Sequence, residues 1–220
     1  VRNNGDKAII EYAEKFDKVI LSPDHLKATE EDFAKADKSL DTSLKKVIQI
    51  SADNIRKFHE AQMPEEMWFT QIDNGIMAGE KITPIESVGV YVPRGKGSFP
   101  SVMLMLCIPA VIAKVPKIIV CTPPAPDGGV DDASLVAAKI CGVKDVYKVG
   151  GAQAIAAMAY GTESIPKVDK IVGPGNRYVT EAKRQVIGEV GIDLLAGPSE
   201  VEIIADDTAH PVWVAADLLA

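Results

Sequence analysis

Between Val88 and Val172, short β-branched runs alternate with helical patterns, and this alternation constrains the fold more than any other feature of the chain. Strands are predicted at 88–92, 117–121, 145–149 and 170–172, and helices at 100–113, 131–140, 152–160 and 177–187. Runs without polar alternation suit strands covered on both faces. Strands joined through a single helix must lie parallel, with right-handed crossovers. The predicted fold is therefore α/β, with parallel sheets and flanking helices. A further strand at 201–205 and a helix from 212 to 220 continue the series.

The first 60 residues read differently. Ala8, Ile9, Tyr12, Ala13 and Phe16 recur at helical spacing. Ser22-Pro23-Asp24 breaks that pattern. Thr29-Glu30-Glu31-Asp32 has the form of a helix cap with acidic first-turn residues. Leu40, Leu44, Val47, Ile48, Ile55 and Phe58 mark a longer helix, so the N-terminal segment is predicted to be helical. Between Trp68 and Ile85 the pattern turns strand-like, at 68–72 and 82–85.

Three Gly-rich turns follow predicted strands: Gly150-Gly151-Ala152-Gln153, Gly173-Pro174-Gly175-Asn176 and Gly197-Pro198-Ser199-Glu200. Open α/β sheets bind ligands at the carboxyl ends of their strands, and each of these turns sets an amide or hydroxyl there. Gln153 suits an anion or ribose over a helix start, or is simply a polar first-turn residue. Asn176 is a helix cap by its position, and a cap can still offer its amide to a ligand. Ser199 has no neighbouring His to activate it, which favours substrate binding over nucleophilic attack. Tyr91 leads into Pro93-Arg94-Gly95-Lys96-Gly97, read either as a phosphate-contacting loop or as a solvated basic turn.

The formal net charge of -7 argues against a nucleic-acid partner. No apolar run is long enough to cross a membrane; the longest, 102–115, contains Pro109. Cys107, Cys121 and Cys141 lie in apolar context without metal or disulfide spacing, and are predicted to be reduced core thiols of a cytoplasmic protein. His25, His59 and His210 lack metal-ligand spacing.

Together these motifs resemble the histidinol dehydrogenase family. The resemblance rests on Val149-Gly150-Gly151-Ala152-Gln153-Ala154-Ile155-Ala156, on Gly161-Thr162-Glu163-Ser164, and on Gly173-Pro174-Gly175-Asn176 with Val179-Thr180-Glu181-Ala182-Lys183-Arg184. It extends through Ala196-Gly197-Pro198-Ser199-Glu200 and, upstream, Gly89-Val90-Tyr91-Val92-Pro93. It implies an NAD-dependent, zinc-containing homodimer that oxidises L-histidinol to L-histidine through an aldehyde. By motif position it implies that Tyr91, Gln153 and Asn176 contact NAD and that Ser199 contacts substrate. It also implies that the family's zinc ligands and proton-transferring Glu-His pair lie beyond Ala220, so this chain would be an internal piece without catalytic or metal residues, inactive by itself.

The same resemblance implies two incomplete Rossmann-like domains, one formed by 1–90 with 200–220 and an NAD-side one formed by 91–199. Where the family usually has Pro-Gly-Gly, this chain has Pro93-Arg94-Gly95-Lys96-Gly97. That departure keeps open a related alcohol dehydrogenase acting on a sulfonated diol. A non-catalytic dinucleotide-binding fragment is the third expectation.

Overall fold

The β-branched runs become strands because each finds a neighbour of the same kind. A computed structural model describes residues 1–94, 97–195 and 200–219. Helix α1 (Gly5–Tyr12) runs into one π-helical turn at Ala13–Asp17. Then come α2 (Glu30–Ser39), α3 (Thr42–Glu60) and a hairpin of β1 (Met67–Asp73) and β2 (Ile76–Lys81). The alternating region follows: β3 (Ser87–Tyr91), α4 (Pro100–Ile112), β4 (Lys117–Thr122), α5 (Asp132–Cys141), β5 (Val146–Lys148), α6 (Gly151–Tyr160), β6 (Lys170–Val172), α7 (Arg177–Gln185) and β7 (Gly191–Ile192). Helix α8 (Pro211–Leu219) comes last.

Strands β3 to β7 form one parallel sheet in the order β5-β4-β3-β6-β7. Val88 pairs with Ile118 and Val90 with Val120 across β3 and β4, while Gly89 pairs with Ile171 across β3 and β6. This matches the first five positions of the 3-2-1-4-5-6 order of a doubly wound dinucleotide-binding sheet, and it reverses between β3 and β6. The expected α/β architecture is present.

Successive strand residues point to opposite faces, and both faces are buried. Val88, Val90, Val120 and Val146 join Met103, Leu104 and Leu135 of α4 and α5 on one side, with Ile48 of α3. Tyr91, Ile119, Cys121 and Ile171 join Ile9 of α1 and Ile155 and Met158 of α6 on the other. The N-terminal segment is tied down by polar links as well as packing. Asp6 accepts from the Ser164 hydroxyl at 2.5 Å, and Glu163 accepts from the Asp6 N–H at 2.8 Å. The expected cap of α2 is a reciprocal pair, with Asp32 N–H donating to Thr29 Oγ1 and Thr29 N–H to Asp32 Oδ2.

Two expectations need correction. The second strand of the hairpin is Ile76–Lys81, not 82–85, because the chain reverses at Asn74-Gly75. Residues 201–205 form no strand, since no neighbouring strand pairs with them among the described residues. On the first helix, Ala8, Ile9 and Ala13 are buried, but Tyr12 and Phe16 lie exposed and stacked on each other at 5.8 Å. All three cysteines are free and buried, as expected. No helix among the described residues is long and apolar enough to cross a membrane.

Candidate functional site at the sheet switch point

Where the strand order reverses, the chain leaves β3 toward α4 on one face of the sheet and leaves β6 toward α7 on the other, the arrangement at which open α/β sheets bind ligands. Tyr91 ends β3 and Gly173 follows β6. They approach so closely that a Cβ on Gly173 would lie 2.1 Å from the Tyr91 carbonyl oxygen. With φ of +121°, Gly173 also holds a backbone conformation that side-chain-bearing residues avoid.

Tyr91 is 3% exposed, and its hydroxyl accepts the Gly151 N–H at 3.0 Å. This bond ties the end of β3 to the first turn of α6. Burial pushes the phenol up to about 12, and the charge of Asp17 adds to the rise, against the opposing pull of the Gly151 bond. Gln153 is also buried, and its side-chain oxygen sits over Gly151. Gly150 rests on the ring of Pro123, which follows β4.

Asn176 is exposed and caps α7. Its Oδ1 accepts from Tyr178 N–H at 3.0 Å and Val179 N–H at 3.1 Å. The cap uses only the oxygen, so the Nδ2 amide is free of it. The structure thus brings Tyr91, Gln153 and Asn176 to the same edge of the sheet. Arg94 follows Tyr91 and is half-buried. Lys96 and Ser199 lie outside the described residues.

Two residues at this edge escaped the sequence reading. Lys183, 3% exposed, donates to the Gly173 carbonyl at 2.5 Å and to Asp193 Oδ1 at 2.7 Å. Asp193 Oδ2 accepts the Gly173 N–H at 2.7 Å. Burial pushes the Asp193 carboxyl up, but the hydrogen bonds from Lys183, Gly173 and Leu194 outweigh it and hold it below the usual range. The available signal was the spacing of Val179 and Lys183, which sets a charge on the buried stripe of α7. Asp17 is a third such residue. Its Oδ2 is buried without a hydrogen-bond partner, and burial raises its carboxyl.

The histidines stand apart from this edge. His25 is exposed and shares a hydrogen bond with Ser22 at 2.7 Å, His59 meets Phe58 edge-on, and exposed His210 stacks on Trp213. Among the described residues no group of three or more His, Cys, Asp or Glu side chains is arranged to hold a metal ion. A groove of about 620 Å³ runs beside β7, lined by Asp169, Ile187, Glu189 and Asp193 among others. It includes Asp193 but neither Tyr91 nor Asn176.

Comparison with known proteins agrees with the fold. The family model described as histidinol dehydrogenase matches residues 1–220. A histidinol dehydrogenase homolog of Colwellia psychrerythraea is 52% identical over 219 residues, which are 100% of this chain and 49% of that protein. The histidinol dehydrogenase of Methanosarcina mazei is 52% identical over 220 residues, covering 100% of this chain and 50% of the relative. The crystal structure of histidinol dehydrogenase from Elizabethkingia anophelis is similar with a TM-score of 0.90 at 44% identity, over 97% of this chain and 49% of that one. The chain spans about half the length of the curated relatives it matches.

Proposed function

The chain belongs to the histidinol dehydrogenase family, and from that premise we propose that it is the dinucleotide-binding part of an NAD-dependent enzyme that oxidises L-histidinol to L-histidine. The observation that carries the proposal is the reversal of strand order between β3 and β6, with Tyr91, Gln153 and Asn176 all at the carboxyl ends of the strands. Sheets of this strand order bind nucleotides at that place.

NAD, when bound, supplies the hydride acceptor. The chain's own residues bind and orient. Asn176 donates its free amide to the dinucleotide while its oxygen holds the start of α7. Gln153 and Tyr91 shape the neighbouring turn, Tyr91 through the Gly151 N–H. Arg94 is the cation nearest the end of β3 in sequence, and in this reading it faces the phosphates. Ser199 keeps its expected role toward substrate. Among the described residues no cluster fits the zinc that the family resemblance implies. Homodimeric assembly and a cytoplasmic setting belong to the same proposal.

The test is calorimetric titration of the protein with NAD. Asn176→Ser keeps a capping oxygen but removes the amide donor. It should weaken NAD binding severalfold with little change in thermal stability. An unchanged affinity would remove Asn176 from the site, and a wild-type protein that fails to bind NAD would overturn the reading.

One observation favours a second substrate class. The cationic Arg94 stands where the family usually has a Gly, and it suits an anionic alcohol such as a sulfonated diol. Parallel turnover assays with histidinol and a sulfonated propanediol decide between them. Preference for the sulfonate would replace the substrate while keeping the cofactor.

A further inference from the structure

The ion pair beneath Gly173 has no evident reason to exist as a stabilising device. Lys183 shares the buried stripe of α7 with Val179, where an apolar residue is the cheaper choice. Burying the Lys183 ammonium carries a desolvation cost, and its partner Asp193 stays partly exposed, with 28% of its side chain accessible. The pair does achieve something an apolar residue cannot, because it occupies both backbone polar groups of a single residue. The Gly173 carbonyl accepts from Lys183, and the Gly173 N–H donates to Asp193. The two side chains are themselves joined at 2.7 Å, which closes the ring.

That residue is the one whose conformation most needs fixing. Gly173 has φ of +121° and lies against the Tyr91 carbonyl. Asn176 follows it by three positions, across Pro174 and Gly175. A rotation of the Gly173 peptide would therefore swing the start of α7 and the Asn176 side chain with it. Strand β7 serves the same end. It has only two residues, paired as Lys170 with Gly191 and Ile171 with Ile192. The next residue is Asp193, whose N–H continues the ladder to the Ile171 carbonyl at 3.2 Å. The short strand delivers one carboxylate to the underside of the turn.

We infer that Lys183 and Asp193 are positioning residues, a clamp on Gly173 that sets where Asn176 presents its amide to the dinucleotide. The inference rests on the NAD reading for its ligand, and on the hydrogen-bonded ring alone for its mechanics.

The test replaces the pair by apolar side chains, Lys183→Met with Asp193→Leu, so that no unpaired charge stays buried. NAD affinity is measured by calorimetry, with and without Asn176→Ser. Amide hydrogen exchange is followed over Gly173 to Val179 and over the rest of the sheet. The clamp predicts a severalfold loss of NAD affinity from the double change, no larger than that of Asn176→Ser alone, and less than about a twofold further loss once Asn176→Ser is present. It also predicts faster exchange confined to the Gly173–Val179 turn. Losses that simply add, or exchange that is unchanged or faster everywhere, overturn it. If wild-type protein does not bind NAD, the functional reading fails while the exchange pattern still decides the clamp. Should the double variant not fold, Asp193→Asn, which keeps an acceptor for the Gly173 N–H but discharges the pair, is read by the same two measurements.

Discussion

Replacing Gly173 by alanine tests the geometry of the switch point directly, and Gly188 provides its control. Both glycines have positive φ, +121° at Gly173 and +94° at Gly188. Alanine at either position therefore incurs backbone strain of about 1–3 kcal/mol. They differ in what a methyl group would meet. At Gly188 nothing lies within 4 Å. At Gly173 the new Cβ would lie 2.1 Å from the Tyr91 carbonyl oxygen and 3.0 Å from its carbon. A carbon and an oxygen settle at about 3.3–3.6 Å even in weak C–H···O contacts, so β3 and the turn after β6 must part by roughly an ångström. No flexible side chain can absorb that shift, because the obstacle is backbone at the centre of the sheet. Overpacking of a core adds about 1–3 kcal/mol. The expected destabilisation is about 3–5 kcal/mol for Gly173→Ala, and about 2 kcal/mol less for Gly188→Ala. In a chain of this size the difference amounts to about 4–8 °C in melting temperature. Urea titration and thermal melts of the two variants measure it. Equal midpoints would refute the claim that β3 and the turn after β6 touch.

Other consequences are within reach of simple measurements. Tyr91→Phe removes the acceptor of the Gly151 N–H and should cost about 1–3 kcal/mol in urea-unfolding stability. Tyr91 and Tyr147 are both pushed up to about 12, mainly by burial, so alkaline ultraviolet titration should show a late phenolate step that shrinks in Tyr91→Phe; an unchanged step would place Tyr91 elsewhere. The Asp193 and Asp32 carboxyls are both held below their usual range. At Asp32 burial pushes upward but is outweighed by the Thr29 N–H and the Lys148 charge. A lowered folded value means that the stabilisation is complete above about pH 4 and is lost as pH falls through the folded values. Asp193→Asn should flatten that acid limb in urea titrations at stepped pH, and an identical slope would count against the pair. The three thiols are buried, so iodoacetamide should label the native protein far more slowly than the urea-unfolded chain.

What the sequence makes legible here follows from the range over which each feature is determined. Lys170–Val172 is read correctly because two β-branched residues, Ile171 and Val172, between turn signals suffice for a strand once neighbours exist. Residues 201–205 carry the same character and form no strand, because pairing is not a property of the segment alone. The hairpin misreading is of another kind. Asn74-Gly75 is a strong local signal for a tight reversal, and it outranks the β-branched run at 82–85. At the site, Asn176 is legible as a cap from its place after Gly173-Pro174-Gly175, and its oxygen does bind the first amides of α7.

The clamp is the least legible feature, for a physical reason. Lys183 and Asp193 are ten residues apart, and their meeting depends on a two-residue strand that no periodicity can announce. Half of it was nonetheless visible. A lysine four positions after Val179 on an amphipathic helix must either reach solvent or find a buried partner. The carboxylate it needs must then come from the chain that returns beside β6. Asp193 meets that demand because it is the first residue after β7, and its side chain turns beneath Gly173 to take the N–H that the turn would otherwise leave unpaired. A charge on an apolar stripe thus points, before any coordinates, to a polar group that the fold has to satisfy.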